Sequence, residues 1–340
     1  MDSLARTLPA SWFCSEPLYQ LERRGVFQKS WHFLGPITRF HNRSEKVIYE
    51  IAQTTLVVEN RSPSSDGITF EGVVVYAQDE STTKQSTQIK SHQTTSGLIF
   101  ATISLNTPSF EEFFSGLDEL TSKVDFTKLP HRRSISYEGN FNWKTMIDGF
   151  QECLHCQYTH PAFTKYYPPT FYCVINHTNF SQHIADPRKE DITSDGLFLY
   201  LYPICTLNIY GGGMSSFRTL PTREPGRSRM EFDYYHSGTD EEFEEYFKFV
   251  RQVAIEDFEL CEKAQKNLEA GVYGEGVLNP IKENGVSFYQ ARVKEAVYRQ
   301  FEEDKMERSK RKIEKEGAKI CEKESLRGVT GDGNIKSCAV

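Results

Sequence analysis

The segment from Asn142 to Pro161 constrains this chain more than any other, because helical periodicity there carries a polar stripe that an ordinary core helix lacks. The pattern predicts a helix over 142–159. Asp148, Glu152 and His155 stand at i, i+4 and i+7, so on such a helix they share one face. Met146, Ile147, Phe150 and Leu154 supply apolar surface around them. A solvent-facing stripe would explain this in a generic helix. His160 argues for more. A spacing of five residues puts His155 and His160 about 140° apart on a regular helix, so they cannot share a ligand unless the helix ends first. Pro161 supplies the end, because the residue before a proline is pushed out of the helical region. Imidazoles brought together in this way suit Fe(II).

A third donor should be a carboxylate from elsewhere. A long helix is expected over about 240–270. Phe243, Phe247, Val250, Ala254, Asp257, Cys261, Ala264 and Leu268 follow alternating steps of four and three, which puts Asp257 on the apolar stripe. Glu256 falls on the polar face with Glu245, Lys248, Gln252, Glu259 and Lys263. A buried carboxylate must be paired or coordinate a metal. An Asp paired with an arginine satisfies that rule as well as a ligand does. Two His and one Asp would form the facial triad of non-haem Fe(II) oxygenases, with open positions for O₂ and substrate.

The rest of the chain frames this segment. Strands are expected at 47–51, 55–59, 72–76, 98–103, 196–202, 205–210 and 229–235. Helices are expected at 17–35, leading into Trp31-His32-Phe33, at 110–123, and from about 287, where charges of both signs crowd 302–324. Turns are expected at 62–67 and at Gly211-Gly212-Gly213, an exposed loop at 78–96, and disorder over the last ~15 residues. The pattern is α+β with an antiparallel sheet. A net charge of −7 argues against a nucleic-acid partner. No apolar run reaches the ~18 residues that span a bilayer. Met1–Arg6 offers no signal-like apolar stretch, so a cytoplasmic protein with reduced thiols is expected, and the Cys153/Cys156 pair is expected to be packing residues.

Asn142-Trp143-Lys144, Asp148, Glu152, His155 and His160-Pro161 together resemble the catalytic-domain signature of the Rieske non-haem iron oxygenases, in their choline monooxygenase-like branch. Leu8-Pro9-Ala10-Ser11-Trp12, Gly97-Leu98-Ile99-Phe100 and Glu256-Asp257 are similar too, so the resemblance covers most of 1–300. It implies a helix-grip (Bet v1/START-like) catalytic domain, a curved antiparallel sheet wrapping a long helix, behind a reduced N-terminal β domain. It implies His155, His160 and Asp257 as iron ligands, with Asp148 and Glu152 as catalytic carboxylates. Glu152 falls where the family bridges a neighbouring subunit's cluster to a ligand histidine. The implied division is an N-terminal helical segment at 1–40 and a degenerate Rieske-like β region at 41–105. The catalytic iron domain follows at 106–300, then a charged helix and disordered tail at 301–340.

The departure is the cluster itself. A Rieske centre needs two Cys and two His, as C-x-H followed by C-x₂-H. Cys14 is the only cysteine before Cys153, and the stretch 60–96 holds no Cys and one His, His92. Cys153-Leu154-His155 with Cys173-Val174-Ile175-Asn176-His177 imitates the pattern, but the second half is one residue too long. Fe(II) without a [2Fe-2S] cluster is therefore expected. Electrons would come from the substrate, in oxidative cyclisation, desaturation or C–C cleavage, or from an external reductant or cluster-bearing partner that supports hydroxylation. A redox-neutral lyase, isomerase or hydrolase, or a non-catalytic binding protein, are the alternatives. The implied assembly is a homo-trimer, and no membrane partner is expected. Phe247, Val253, Tyr200, Asn208, Tyr210 and Phe217 are the expected substrate-facing residues, and Tyr166-Tyr167-Pro168-Pro169 an entrance loop. His131, His177, His183 and His236 are expected to be structural or on the surface.

Overall fold

The computed structural model describes residues 4–42, 45–62, 72–79, 87–185 and 196–328. The turn expected after Ser62 and the tail after Gly328 lie outside the described residues. Two short helices, α1 (Ser11–Cys14) and α2 (Glu16–Glu22), open the chain. One wider π-helical turn, Arg23–Phe27, ends the helix expected to reach residue 35. Trp31-His32-Phe33 is extended instead, in strand β1 (Trp31–Pro36). Burial decides this, since every residue of β1 is buried.

Strands β2 (Lys46–Ile51), β3 (Thr54–Asn60), β4 (Val73–Asp79) and β5 (Thr87–Gln88) pair in that order. Strands β6 (Lys90–Gln93) and β7 (Leu98–Thr102) join β1 in a three-stranded sheet with β7 at its centre. The loop expected at 78–96 thus carries a strand, because pairing with the apolar β7 overrides the polar composition of β6. The helix expected at 110–123 is two pieces, α3 (Phe110–Phe113) and α4 (Leu117–Thr121), divided at Gly116 with φ 85°.

The largest sheet among the described residues is antiparallel throughout and builds the site. Strand β8 (His131–Gly139) is followed by three helices, α5 (Trp143–Phe150), α6 (Cys156–Thr159) and α7 (Pro161–Thr164). Then come β9 (Cys173–Asn176), β10 (Phe180–Ile184), β11 (Leu197–Leu201), β12 (Cys205–Tyr210), β13 (Gly213–Pro221) and β14 (Ser228–Tyr235). The order is β8-β14-β13-β12-β11-β10-β9, a meander closed on one edge by β8. Gly211 and Gly212, at φ 65° and 87°, form the two-residue turn that pairs Tyr210 with Gly213.

Helix α8 (Asp240–Glu269) begins with a capping box, in which Thr239 Oγ1 accepts from the Glu242 amide and the Glu242 carboxylate accepts from the Thr239 amide. Its buried stripe, Phe243, Tyr246 and Val250, packs with Tyr210, Phe232 and Tyr234 of the sheet. The last helix, α9 (Asn284–Gly328), turns its buried Tyr289 and Gln290 toward α5.

Helix α5 is fastened at its base. Lys144 and Glu22 are both fully buried and lie 2.7 Å apart, and Trp143 Nε1 donates to the other Glu22 oxygen at 2.8 Å. Burial lowers the Lys144 pKa, while Glu22 holds the charge in place. Removing one partner strands the other. Glu22→Ala is predicted to destabilise the fold by about 3–5 kcal/mol, while Glu22→Leu with Lys144→Met recovers most of that loss. Urea unfolding checks both, and a double variant no more stable than the single one would count against the assignment.

Candidate metal centre

Helix α5 stops at Phe150, earlier than the periodicity implies. Gln151 caps it, and the backbone turns through 151–155 before α6 begins. Gln151 is buried and held from several sides. Its Nε2 donates to Ser181 Oγ (3.2 Å) and Gly285 O (3.3 Å), and its Oε1 faces His183 Nε2 at 2.7 Å. The shared face expected for Asp148, Glu152 and His155 therefore does not exist. Asp148 points to α9, where Tyr289 Oη and, at 2.6 Å, Gln290 Nε2 donate to its Oδ1. Burial raises the Asp148 pKa to about 7. Asp148 anchors α5 from behind the site.

The break brings the two histidines together. His155 precedes α6, and His160 sits between α6 and α7 at φ −118°, ψ 68°, with Pro161 opening α7. Their Nε2 atoms are 3.2 Å apart. Asp257 Oδ1, on α8, lies 2.9 Å from His160 Nε2 and 3.4 Å from His155 Nε2. Three donors bonded to one ion at about 2.1 Å and about 90° to one another would be about 3.0 Å apart, so this triangle fits one face of an octahedral metal.

Each imidazole is also held from behind. His155 Nδ1 bonds Glu152, and His160 Nδ1 bonds Glu256 Oε2 at 2.8 Å. This leaves both Nε2 atoms facing Asp257 and is the outer-shell pattern that orients metal-bound histidines. The sequence reading put Glu256 on the polar face. It does start there, bonding Gln252 Nε2 at 2.9 Å, yet its other oxygen reaches His160. Burial opposes charge on His155, but Asp257 and Glu152 outweigh it and raise its pKa to about 10. Against the same opposing burial, Asp257 and then Glu256 raise His160. Burial likewise opposes ionised Asp257, and the two histidines lower its pKa.

A cavity of about 120 Å³ opens on this triangle. Val253, Asn208, Tyr210 and Phe217 line it as expected, with Phe163, Tyr167 and Phe198. Of the expected entrance loop, Tyr167 faces the cavity and Tyr166 faces outward, edge-on to Phe249. Phe247 and Tyr200 are corrections. Phe247 packs against Tyr234 and under Arg133, outside the cavity lining, because the helix crosses the sheet at an angle that its own periodicity does not specify. Tyr200 is buried in the other core cluster, where its hydroxyl donates to Pro203 O. The sequence reading missed His183, which lines the cavity. Burial lowers its pKa to about 3, so the ring is neutral, donating to Gln151 and accepting from Tyr172. Alternation along β10 was the available signal. Cys153 and Cys156, expected as reduced packing residues, are bonded to each other across the turn that carries His155.

The chain matches the family described as Ring hydroxylating alpha subunit (catalytic domain) over residues 126–190 and 174–299. It is 23% identical to the carnitine monooxygenase oxygenase subunit of Escherichia coli K12, over 84% of this chain and 92% of that protein. It is 25% identical to the chloroplastic choline monooxygenase of Arabidopsis thaliana, over 41% and 36% of the two chains. Among solved structures, a quaternary ammonium Rieske monooxygenase with L-carnitine superposes at a TM-score of 0.69, with 18% identity over 86% of this chain and 96% of that one. A Rhodococcus naphthalene 1,2-dioxygenase with indole superposes at 0.61, with 12% identity over 86% and 94%.

Two predictions follow the geometry. Glu256→Ala should weaken iron binding about 10–100-fold by freeing the His160 ring, as measured by competition with a metal chelator. An unchanged affinity would remove Glu256 from the site. In the metal-free protein His155 keeps its proton to about pH 10, so iron must displace it. Iron binding is expected to release protons at neutral pH and to tighten steadily from about pH 6 to about pH 9. Calorimetry in buffers of different ionisation heat checks this, and a pH-independent affinity would contradict it.

Proposed function

The chain belongs to the ring hydroxylating alpha subunit family, whose members are non-haem iron oxidoreductases, and on that premise we propose that it is an O₂-dependent iron oxidase or oxygenase working without a Rieske cluster of its own. One observation carries this reading: His155 Nε2, His160 Nε2 and Asp257 Oδ1 converge at 2.9–3.4 Å, with both Nδ1 atoms tied to carboxylates. In the proposal these three residues hold Fe(II), which supplies O₂ activation when bound. Glu152 and Glu256 orient the rings. The catalytic domain takes the helix-grip form, with the β8–β14 sheet wrapped on α8. The division at 1–40, 41–105, 106–300 and 301–340 belongs to the same proposal.

The absence of cluster ligands rests on sequence, since Cys14 alone precedes Cys153. Electrons then come from the substrate or from an external donor. Leu154 on the turn and Tyr158 on α6, at 39% and 83% exposure, offer that donor a place to approach. A homo-trimer and a cytoplasmic setting complete the proposal.

The cavity restricts the substrate. Nine Phe and Tyr rings line it, and Asn208 Oδ1 is buried there without a hydrogen-bond partner among the described residues. Among the described residues no lysine or arginine lines it, while Glu152 and Asp257 do. A carboxylate such as that of carnitine would meet two carboxylates and no counter-charge among these residues. We therefore propose a small neutral or cationic molecule that presents one N–H or O–H to Asn208 and its apolar body to Tyr210 and Phe217.

Anaerobic reconstitution tests the reading. The expected protein binds about one iron per chain, holds no acid-labile sulfide, and consumes O₂ with ascorbate as reductant. His155→Ala should lose the iron. Labile sulfide at about two per chain would overturn the cluster-free assignment, and full activity with zinc would overturn the redox one.

A further inference from the structure

The turn that carries His155 is Cys153-Leu154-His155-Cys156, and its two cysteines form a disulfide with Cα atoms 5.1 Å apart. Both are buried, at 6% and 5% exposure, and both line the cavity with His155, His160 and Asp257. The Cys156 sulfur and one nitrogen from each histidine all lie within 4.8 Å of one another. Cys14, Cys173, Cys205 and Cys261 are free thiols. A disulfide closing so short a loop constrains the unfolded chain least, so stapling explains its place poorly. A C-x-x-C pair is a frequent thiol–disulfide redox arrangement.

We propose that Cys153 and Cys156 are a dithiol–disulfide couple that supplies the iron site with the two electrons a cluster would otherwise deliver. This rests on the cluster-free reading above. The two thiols form one S–S bond and release two electrons and two protons. With O₂ and a substrate C–H, these give one C–OH and one water. Without substrate, the same two electrons and two protons reduce O₂ to hydrogen peroxide. An external dithiol of the thioredoxin or dithiothreitol class resets the pair by exchange, leaving its own sulfurs oxidised. The couple's position explains its reach: Cys156 directly follows His155, and Cys153 stands two residues before it.

The test uses the full chain, iron-loaded and reduced, with excess reductant removed anaerobically. One pulse of O₂ is given without substrate, and differential alkylation with mass spectrometry reads the cysteines. The 153–156 peptide is expected to lose two thiols with about one hydrogen peroxide formed, about tenfold or more faster than in iron-free or zinc-loaded protein. Cys153→Ser with Cys156→Ser should still bind iron but lose thiol-driven O₂ uptake. Equal oxidation rates with and without iron would overturn the couple, as would thiol-driven uptake that persists in the double variant. If the variant does not fold, the iron-loaded and zinc-loaded wild-type rates decide alone. Failure of the underlying reading looks different: no iron is bound, or ascorbate supports no O₂ uptake. Iron binding and ascorbate-driven uptake with unchanged thiols sinks only the couple.

Discussion

The site depends on the register between α5 and α8, because its donors come from both. His155 and His160 follow α5, and Asp257 lies within α8. Asn142 sets the register. Its side-chain oxygen accepts from the Lys144 amide at 3.0 Å and so caps α5, while its own amide donates to Gln265 Oε1 on α8 at 3.0 Å. Its Nδ2 reaches Pro225 O, between β13 and β14, at 2.6 Å. One buried residue thus ties the helix start to α8 through its backbone amide and to the β13–β14 connection through its side chain. Gln265 lies eight residues beyond Asp257, just over two turns along the same rigid rod. The Lys144–Glu22 pair secures α5 against α2, and Asp148 secures it against α9. A helix held at so many points delivers its C-terminal end to a fixed place, and a metal triangle tolerates little else.

That delivery requires α5 to stop. A continuous helix would keep His155 and His160 on different sides. The sequence located the exit at Pro161, whose effect on the preceding residue is local and steric. The earlier stop at Phe150 was not legible. It is made by Gln151, whose partners Ser181, His183 and Gly285 are distant in sequence and meet it only in the folded chain. The stripe expected for Asp148, Glu152 and His155 is therefore not a shared face. Asp148 braces the helix, and Glu152 holds the histidine.

The same distinction separates what was readable elsewhere. Strands β12 and β14 and helix α8 were legible because their periodicity is set by burial on one face, which sequence records directly. The apolar stripe of α8 correctly carried Asp257 inward. It misplaced Phe247 because which part of a stripe faces the cavity, and which part meets strand β14, depends on how the helix crosses the sheet. Glu256 shows the limit from the other side. A residue next to the buried stripe can belong to the site when its side chain is long enough to reach round the helix. Strand β6 was hidden by its polar residues, since an edge strand needs only one apolar neighbour, here β7.

Charge explains how these pieces fit one another. Three carboxylates, Glu152, Glu256 and Asp257, surround two imidazoles beside a largely aromatic cavity. With neutral histidines the cluster carries three negative charges in a poorly solvated place, an arrangement that burial penalises. Protons relieve it in the metal-free protein, which is why both histidines bind them more tightly than usual. A divalent cation relieves it better, contributing two positive charges at the point where all three inner donors converge. Glu152 and Glu256 thereby act twice, once as orienting hydrogen-bond acceptors and once as the negative charge that favours metal over an empty site. The excess negative charge also reaches the cavity, which no lysine or arginine lines among the described residues. The geometry that selects the ion therefore bears on the substrate as well, favouring neutral or cationic molecules over anions before any side-chain contact distinguishes them.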